Sequence, residues 1–204
     1  HQIERYMSWL NTHPAYRLSF RDYHALWQWS VNEPAQFWES LVRYFDLEWS
    51  YDSVLEGTMP HARWFKGATL NYAQEIFRRA HRSAPAILFS SEHRPFAEVD
   101  WDTLEQQTAR VAHHLRASGV RPGDRVAACL PNSPEATVAL LATISIGAVW
   151  SSASPDFGSS SVAERMVQIE PKVLFAVRGY SYGGKWFDRS EAVARLRKEL
   201  PTLR

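Results

Sequence analysis

A glycine-rich segment at residues 179–185 has the residue types and spacing that can hold a phosphate group. Gly179, four further residues and the pair Gly184-Lys185 match the first seven positions of a nucleotide-binding P-loop that follows a strand. A P-loop places Ser or Thr next, to hold Mg²⁺, and enters a helix there, whereas Trp186 stands at that position. The sequence therefore favours a glycine-rich surface loop with one basic residue over a P-loop.

A second candidate is the serine-rich segment at residues 151–161, which contains the acid Asp156. It follows a predicted strand, and open α/β sheets bind ligands at the carboxyl ends of their strands. Backbone amides at the start of the next helix can receive an anion. Alternatively, the hydroxyls only cap that helix and Asp156 only serves a turn. The segment contains no lysine, so it cannot clamp a phosphate by itself.

The sequence gives little indication of a metal site or of a catalytic nucleophile. His113 and His114 are adjacent on a predicted helix and therefore point in different directions. Three further histidines lack ligand-like spacing to cysteine or carboxylates: His61, His81 and His93. There is no Gly-x-Ser-x-Gly motif for a serine nucleophile. We expect no metal ligands and no catalytic residues in this chain.

Composition excludes several function classes. The 204 residues are 45% hydrophobic, which fits one large globular domain or one domain with an extension. The formal net charge of +1 argues against nucleic-acid binding, because a nucleic-acid surface needs a clustered basic excess. The single Cys129 lies among small apolar residues and predicts a buried thiol in a reducing compartment. Because the first residues are polar and show no signal peptide, we expect a cytoplasmic protein.

One uncharged stretch, residues 136–155, is about long enough to span a bilayer. Serine and threonine dilute its apolar character, and Gly147 divides it into two parts. A buried helix followed by a buried strand is favoured, and we expect no membrane partner.

From residue 83 onward, strand and helix patterns alternate. Strands are predicted at residues 86–89, 96–101, 126–130, 148–152 and 173–177. From the second strand onward a helix is predicted between each pair of successive strands, and a final helix at residues 191–200. Helix-length crossovers between strands predict an α/β fold with a three-layer, largely parallel sheet.

Local signals mark where these helices begin and end. Asp102, with Glu105 three residues later, predicts a capping box, and Ser161 with Glu164 predicts another. The run from Ser133 through Pro134 to Glu135 predicts a strong helix start. Three residues are expected to end helices: Gly119, Gly147 and Pro171.

The region before residue 83 is rich in aromatic residues. Six of the nine tryptophans lie before residue 65. Bulky apolar residues recur at helical spacing in residues 23–27 and 34–45, and Pro34 suits the first turn of the second helix. A base-stacking platform would need interleaved Lys and Arg, which are missing, so we expect these helices to pack on a neighbouring domain. The predicted organisation is a helical extension at residues 1–82 and a truncated α/β domain at 83–204.

Several segments resemble the opening of adenylate-forming acyl-CoA synthetases. The clearest are residues 119–126 (GVRPGDRV), 130–136 (LPNSPEA) and 147–149, and residues 100–104 are similar to an early Thr-Tyr-x-Glu-Leu motif of the family. The aromatic front end, through residues 64–65 and 70–73, resembles the extension in members that activate acetate, propionate or acetoacetate. Residues 154–158, 168–175 and 179–185 are most similar to the members that use acetoacetate.

This resemblance implies an acid–thiol ligase that uses ATP, CoA and Mg²⁺ and works through an acyl-adenylate. It also implies that the phosphate loop and the catalytic lysine come from the remainder of the polypeptide, so this chain alone is expected to be inactive. The alternatives are the same chemistry on acetate or propionate, or a free-standing module that binds CoA or a nucleotide.

The resemblance also suggests one CoA contact. In the acetate-activating members, the loop that matches residues 178–185 carries two arginines for the nucleotide phosphates of CoA. Lys185 keeps a positive charge at one of these positions, and Ser181 stands at the other. With Gly184, these two residues form the candidate CoA loop. The loop at residues 154–158 aligns with a segment beside the pantetheine arm.

Overall fold

The computed structural model describes residues 1–203, which form two compact units divided between Leu70 and Asn71. The first unit contains three helices, α1 (Gln2–Thr12), α2 (Tyr23–Asn32) and α3 (Pro34–Tyr44), and a hairpin of β1 (Ser53–Glu56) with β2 (Arg63–Lys66). The helices predicted around residues 23 and 34 are confirmed, with Pro34 in the first turn. Helix α1 and this hairpin had no counterpart in the prediction.

The aromatic residues of the first unit build a core of their own. Tyr6, Leu10 and Leu26 are buried and are surrounded by partly buried rings. The Tyr6 hydroxyl lies 2.5 Å from the Ser40 hydroxyl, which satisfies both polar groups in this core. Burial is the main cause that raises the pKa of Tyr6.

The second unit alternates helix and strand along most of its length. Its elements are α4 (Tyr72–Arg78), β3 (Ile87–Phe89), β4 (Ala97–Val99), α5 (Trp101–Ala117), β5 (Arg125–Cys129), α6 (Pro134–Ser145), β6 (Val149–Ala153), α7 (Ser159–Val167), β7 (Val173–Ala176), β8 (Gly179–Tyr182), β9 (Lys185–Asp188) and α8 (Ser190–Glu199).

The predicted parallel three-layer architecture is confirmed. Strands β6, β5 and β7 lie side by side in that order and are parallel, with Val126 opposite Trp150 and Val173. Successive β5 residues face opposite layers: Val126 packs with residues of α5 and α6, and Ala127 packs with residues of α7 and α8. The sheet therefore lies between two pairs of helices.

Helix α6 begins and ends as its sequence predicts. The Ser133 hydroxyl accepts the Ala136 N–H at 3.4 Å, and Pro134 occupies the first turn. Gly147 has φ +74°, a conformation that few other residues adopt, and it separates α6 from β6. The helix and the strand predicted within residues 136–155 are both present, and α6 is largely buried. The expectation that the strand is buried was wrong, because β6 is the edge strand of the three-stranded sheet and its Val149 is 49% exposed. Among residues 1–203, no helix is both long enough and apolar enough to cross a membrane.

Two predicted helix caps were wrong. The cap of α5 is Asp100, whose carboxylate accepts the Thr103 N–H at 2.6 Å, and Asp102 lies within the helix. The cap of α7 is Gly158, and Ser161 lies in the first turn, where its hydroxyl makes no capping bond. In both cases the helix begins earlier than the capping-box pattern indicated.

The predicted glycine-rich surface loop was also wrong, because residues 179–188 form a hairpin. Strands β8 and β9 are antiparallel, and the Tyr180 and Phe187 rings stack with centroids 5.3 Å apart. Gly183 and Gly184 connect the strands with φ values of +59° and +71°. Two positive-φ residues form the two-residue turn that suits the twist of a hairpin.

Candidate functional site

A groove of about 910 Å³ lies at the carboxyl ends of β5 and β6. Open α/β sheets bind ligands at this edge because the loops that follow parallel strands meet there. Three walls enclose the groove, one from the start of α6, one from the segment after β6 and one from β8.

The α6 wall brings uncharged polar groups to the groove. Asn132, Ser133 and Thr137 line it, at the amino end of the helix. The helix dipole makes this end positive. Pro134 has no N–H, and the Ala136 and Thr137 N–H groups are bonded to Ser133, so the polar groups that this wall offers are mainly uncharged side chains.

The opposite walls combine hydroxyl groups with aromatic rings. Ser152, Ser154 and Asp156 come from β6 and the segment after it, and Trp150 contributes an apolar face. Tyr180, Ser181 and Tyr182 come from β8. Asp156 is the one charged side chain among the lining residues in the described part of the chain. Such a lining suits a neutral ligand with several amide or hydroxyl groups.

Arg189 supports the β8 wall from the following segment. Its guanidinium donates to the Tyr180 hydroxyl at 3.0 Å and lies 5.3 Å from the centre of that ring. The Arg189 backbone N–H also donates to the Arg178 carbonyl at 2.7 Å. These contacts hold the Tyr180 ring in one orientation at the groove.

The thiol of Cys129 is not a candidate nucleophile. The residue ends β5 and is partly buried. Burial is the main cause that raises the pKa of the thiol, which therefore stays protonated at neutral pH.

The structure brings together only some of the predicted site residues. Ser181 lies in the groove with Ser154 and Asp156, so two segments proposed separately from the sequence share one site. Lys185 is exposed on β9, opposite Tyr182, and does not line the groove. Gly184 lies in the hairpin turn, where its N–H donates to the carboxylate of Glu92 at 2.8 Å.

Sequence reasoning missed Glu92 and the role of the α6 start. Glu92 accepts a second bond from the Gly183 N–H at 2.7 Å, and these two bonds lower the pKa of its carboxyl group. The motif at residues 130–136 contained a signal for the α6 wall, because it ends in a capped helix start at the edge of a sheet. The sequence contains no local signal for Glu92.

Within residues 1–203, no group of three or more His, Cys, Asp or Glu side chains is arranged to hold a metal ion.

The parallel three-layer sheet, with a groove at its carboxyl edge, defines an α/β domain of the class that binds ligands at this edge. The family model for the AMP-binding enzyme matches residues 75–204, and the chain therefore belongs to the AMP-binding enzyme family. A second model, for the acetyl-coenzyme A synthetase N-terminus, matches residues 23–76.

Within this family, the chain is similar to several acetoacetyl-CoA synthetases. The chain is 38% identical to acetoacetyl-CoA synthetase of Mus musculus over 99% of the chain and 31% of the relative. It is 40% identical to acetoacetyl-coenzyme A synthetase of Rhizobium meliloti (strain 1021) over 91% of the chain and 29% of the relative. The solved structure of acetoacetyl-CoA synthetase from Streptomyces lividans matches with a TM-score of 0.93 and 50% identity, over 100% of this chain and 32% of that one. The chain thus spans about a third of the relatives it matches.

Proposed function

We propose that the full-length protein is a cytoplasmic acetoacetate–CoA ligase of lipid metabolism that uses ATP, CoA and Mg²⁺. The observation that carries this proposal is the similarity to an acetoacetyl-CoA synthetase structure along the whole chain, at 50% identity. The motifs at residues 154–158, 168–175 and 179–185, which resemble the acetoacetate-using members, support the same acyl group.

The proposed reaction has two steps. A carboxylate oxygen of acetoacetate attacks the α-phosphorus of ATP, which forms the acyl-adenylate and releases pyrophosphate. The sulfur of CoA, after losing its proton, then attacks the acyl carbon and displaces AMP. The contribution that we assign to this chain is to bind and orient CoA for the second step, since positioning of two reactants can lower a barrier substantially.

The lining of the groove supports a place for the pantetheine arm of CoA. This arm is uncharged and carries two amides, which match the hydroxyls of Ser152 and Ser154 and the amide of Asn132. Trp150 offers an apolar face to its methylene groups. In this proposal the phosphates of CoA stay outside the groove, beside Lys185 on the hairpin.

The test of the activity is pyrophosphate release by the purified full-length protein with ATP and one of three acids. We expect release to be fastest with acetoacetate and slower with acetate and propionate. The 204-residue chain alone serves as the control and should release none above buffer. Equal or faster turnover with acetate or propionate would reject the assigned substrate, and CoA binding without any turnover would favour a binding module.

Lys185 provides a separate test of the CoA contact. In the full-length protein, Lys185→Ala should raise the KM for CoA by roughly 5- to 30-fold, which corresponds to the loss of about 1–2 kcal/mol for one exposed, charge-assisted contact. Acyl-adenylate formation, measured without CoA, should not change because that step does not use the hairpin.

The matched control for this test is Lys198→Ala, which removes an exposed lysine from the last turn of α8. It should leave both half-reactions unchanged. If the KM for CoA is unchanged in Lys185→Ala, Lys185 does not contact CoA. An equal loss in both half-reactions would indicate a structural role instead.

A further inference from the structure

We propose that Glu92 is a positioning residue, and that the turn at residues 91–94 is a bracket which ties two walls of the groove together. Glu92 lies between β3 and β4, outside the groove. Its carboxylate holds the turn of the β8–β9 hairpin, which carries Ser181 and Tyr182 into the groove wall.

The contact with the hairpin is made by both carboxylate oxygens of Glu92. Gly183 and Gly184 both have positive φ, so their consecutive N–H groups form a concavity suited to an anion. One oxygen of Glu92 accepts the Gly183 N–H at 2.7 Å, and the other accepts the Gly184 N–H at 2.8 Å. Two charge-assisted bonds to adjacent amides restrict the turn more than one would.

The other end of the bracket reaches α6. Arg94 places its guanidinium 4.7 Å from the centre of the Phe89 ring and donates to both carboxylate oxygens of Glu135, at 3.0 and 3.1 Å. Glu135 lies in the first turn of α6, beside the residues that line the groove. The bracket therefore connects the α6 wall with the β8 wall.

The turn that carries Glu92 and Arg94 is itself closed by two bonds. The Ser91 N–H donates to the Arg94 carbonyl at 3.0 Å, and the Arg94 N–H donates to the Ser91 hydroxyl at 3.1 Å. These bonds fix the positions of the two ends of the bracket relative to each other. We infer that the bracket sets the distance between the two walls.

A second consequence concerns the hairpin amides and rests on the proposed function. Because Glu92 already occupies the N–H groups of Gly183 and Gly184, a CoA phosphate beside Lys185 would bind without them. In this arrangement Glu92 orients the wall of the groove and does not contact the substrate.

Hydrogen–deuterium exchange of the full-length protein tests the bracket directly. In Glu92→Gln, which loses the charge but keeps the size, the peptide covering residues 179–188 should exchange roughly tenfold faster. The peptide covering residues 53–66 should not change. Glu92→Asp, which keeps the charge, should restore part of the protection. The matched control is Glu98→Gln, which alters an exposed glutamate on β4 of the same hairpin as the bracket. Unchanged exchange at residues 179–188 in Glu92→Gln would overturn the proposal.

The kinetic readout separates positioning from general destabilisation. Glu92→Gln should raise the KM for CoA roughly three- to tenfold, leave acyl-adenylate formation unchanged and be partly rescued in Glu92→Asp. A loss in both half-reactions would mean that the variant disturbs the fold and would overturn the positioning role. Faster exchange with an unchanged KM for CoA would retain the contact between Glu92 and the hairpin but overturn the positioning role of Glu92.

Discussion

Replacing Gly179 with alanine is expected to separate β8 from β9 and to remove one wall of the groove. A Cβ atom at this position would overlap the Trp186 ring and lie 2.7 Å from the Phe187 carbonyl oxygen. The ring can rotate, but the carbonyl belongs to the facing strand, where Gly179 pairs with Asp188. The backbone must therefore move. We expect Gly179→Ala to lower the free energy of unfolding by about 3 kcal/mol, which is the upper end of the cost of overpacking.

Chemical denaturation and hydrogen exchange measure this effect. Gly179→Ala should lower the free energy of unfolding and increase exchange across residues 179–188. The control is Gly158→Ala, because a Cβ there would meet nothing within 4 Å and the residue has an ordinary φ of −58°. Gly158→Ala should lower the free energy of unfolding by less than about 1 kcal/mol, because only the helix cap changes. Equal stability of the two variants would show that the hairpin does not require glycine at position 179.

Replacing Asn71 with alanine is expected to be the second large perturbation. The side-chain oxygen of Asn71 caps α4 by accepting the N–H groups of Ala73 and Gln74, at 3.1 and 3.2 Å. Its nitrogen donates to the carbonyls of Ile144 and Ser145, at 3.0 and 3.2 Å, at the end of α6. Asn71→Ala removes all four bonds, and we expect a loss of about 2–4 kcal/mol in the free energy of unfolding.

Asn71→Ser separates the two roles of this side chain. Serine retains an oxygen that can cap α4, but it is too short to reach the α6 carbonyls. In urea denaturation, Asn71→Ser should therefore lower the free energy of unfolding by about 1 kcal/mol less than Asn71→Ala does. Equal losses in the two variants would mean that the cap contributes nothing measurable. A loss below about 0.5 kcal/mol for alanine would contradict the proposed link between α4 and α6.

The element types of the α/β region could be predicted because their signals are local. Ser133 and Pro134 start α6, and Gly147 ends it, through contacts within a few residues of the chain. The apolar strand pattern around Val126 requires a buried sheet, and helix-length connections require that sheet to be parallel. The resemblance of residues 119–126 and 130–136 to acyl-CoA synthetases then indicated the family, which the match at residues 75–204 establishes.

Packing decided details that local signals left ambiguous. Asp100 and Asp102 are both good caps, but in the structure Trp101 lies in the first turn of α5 and packs against the cluster that contains Ala73 and Leu104. The helix therefore begins after Asp100. Similarly, the two glycines at 183–184 suit either a phosphate loop or a hairpin turn, and the stacking of Tyr180 on Phe187 selects the hairpin.

The sequence by itself determined the fold class and the family, because periodicity, caps and motifs act over short stretches of chain. Only the tertiary structure decided which of the candidate residues share a site. It brought Ser154 and Ser181 into one groove and left Lys185 outside it. It also placed the Glu92 carboxylate on the amides of Gly183 and Gly184, a contact between distant turns. Such contacts depend on how complete elements pack, and no local pattern of residues specifies them.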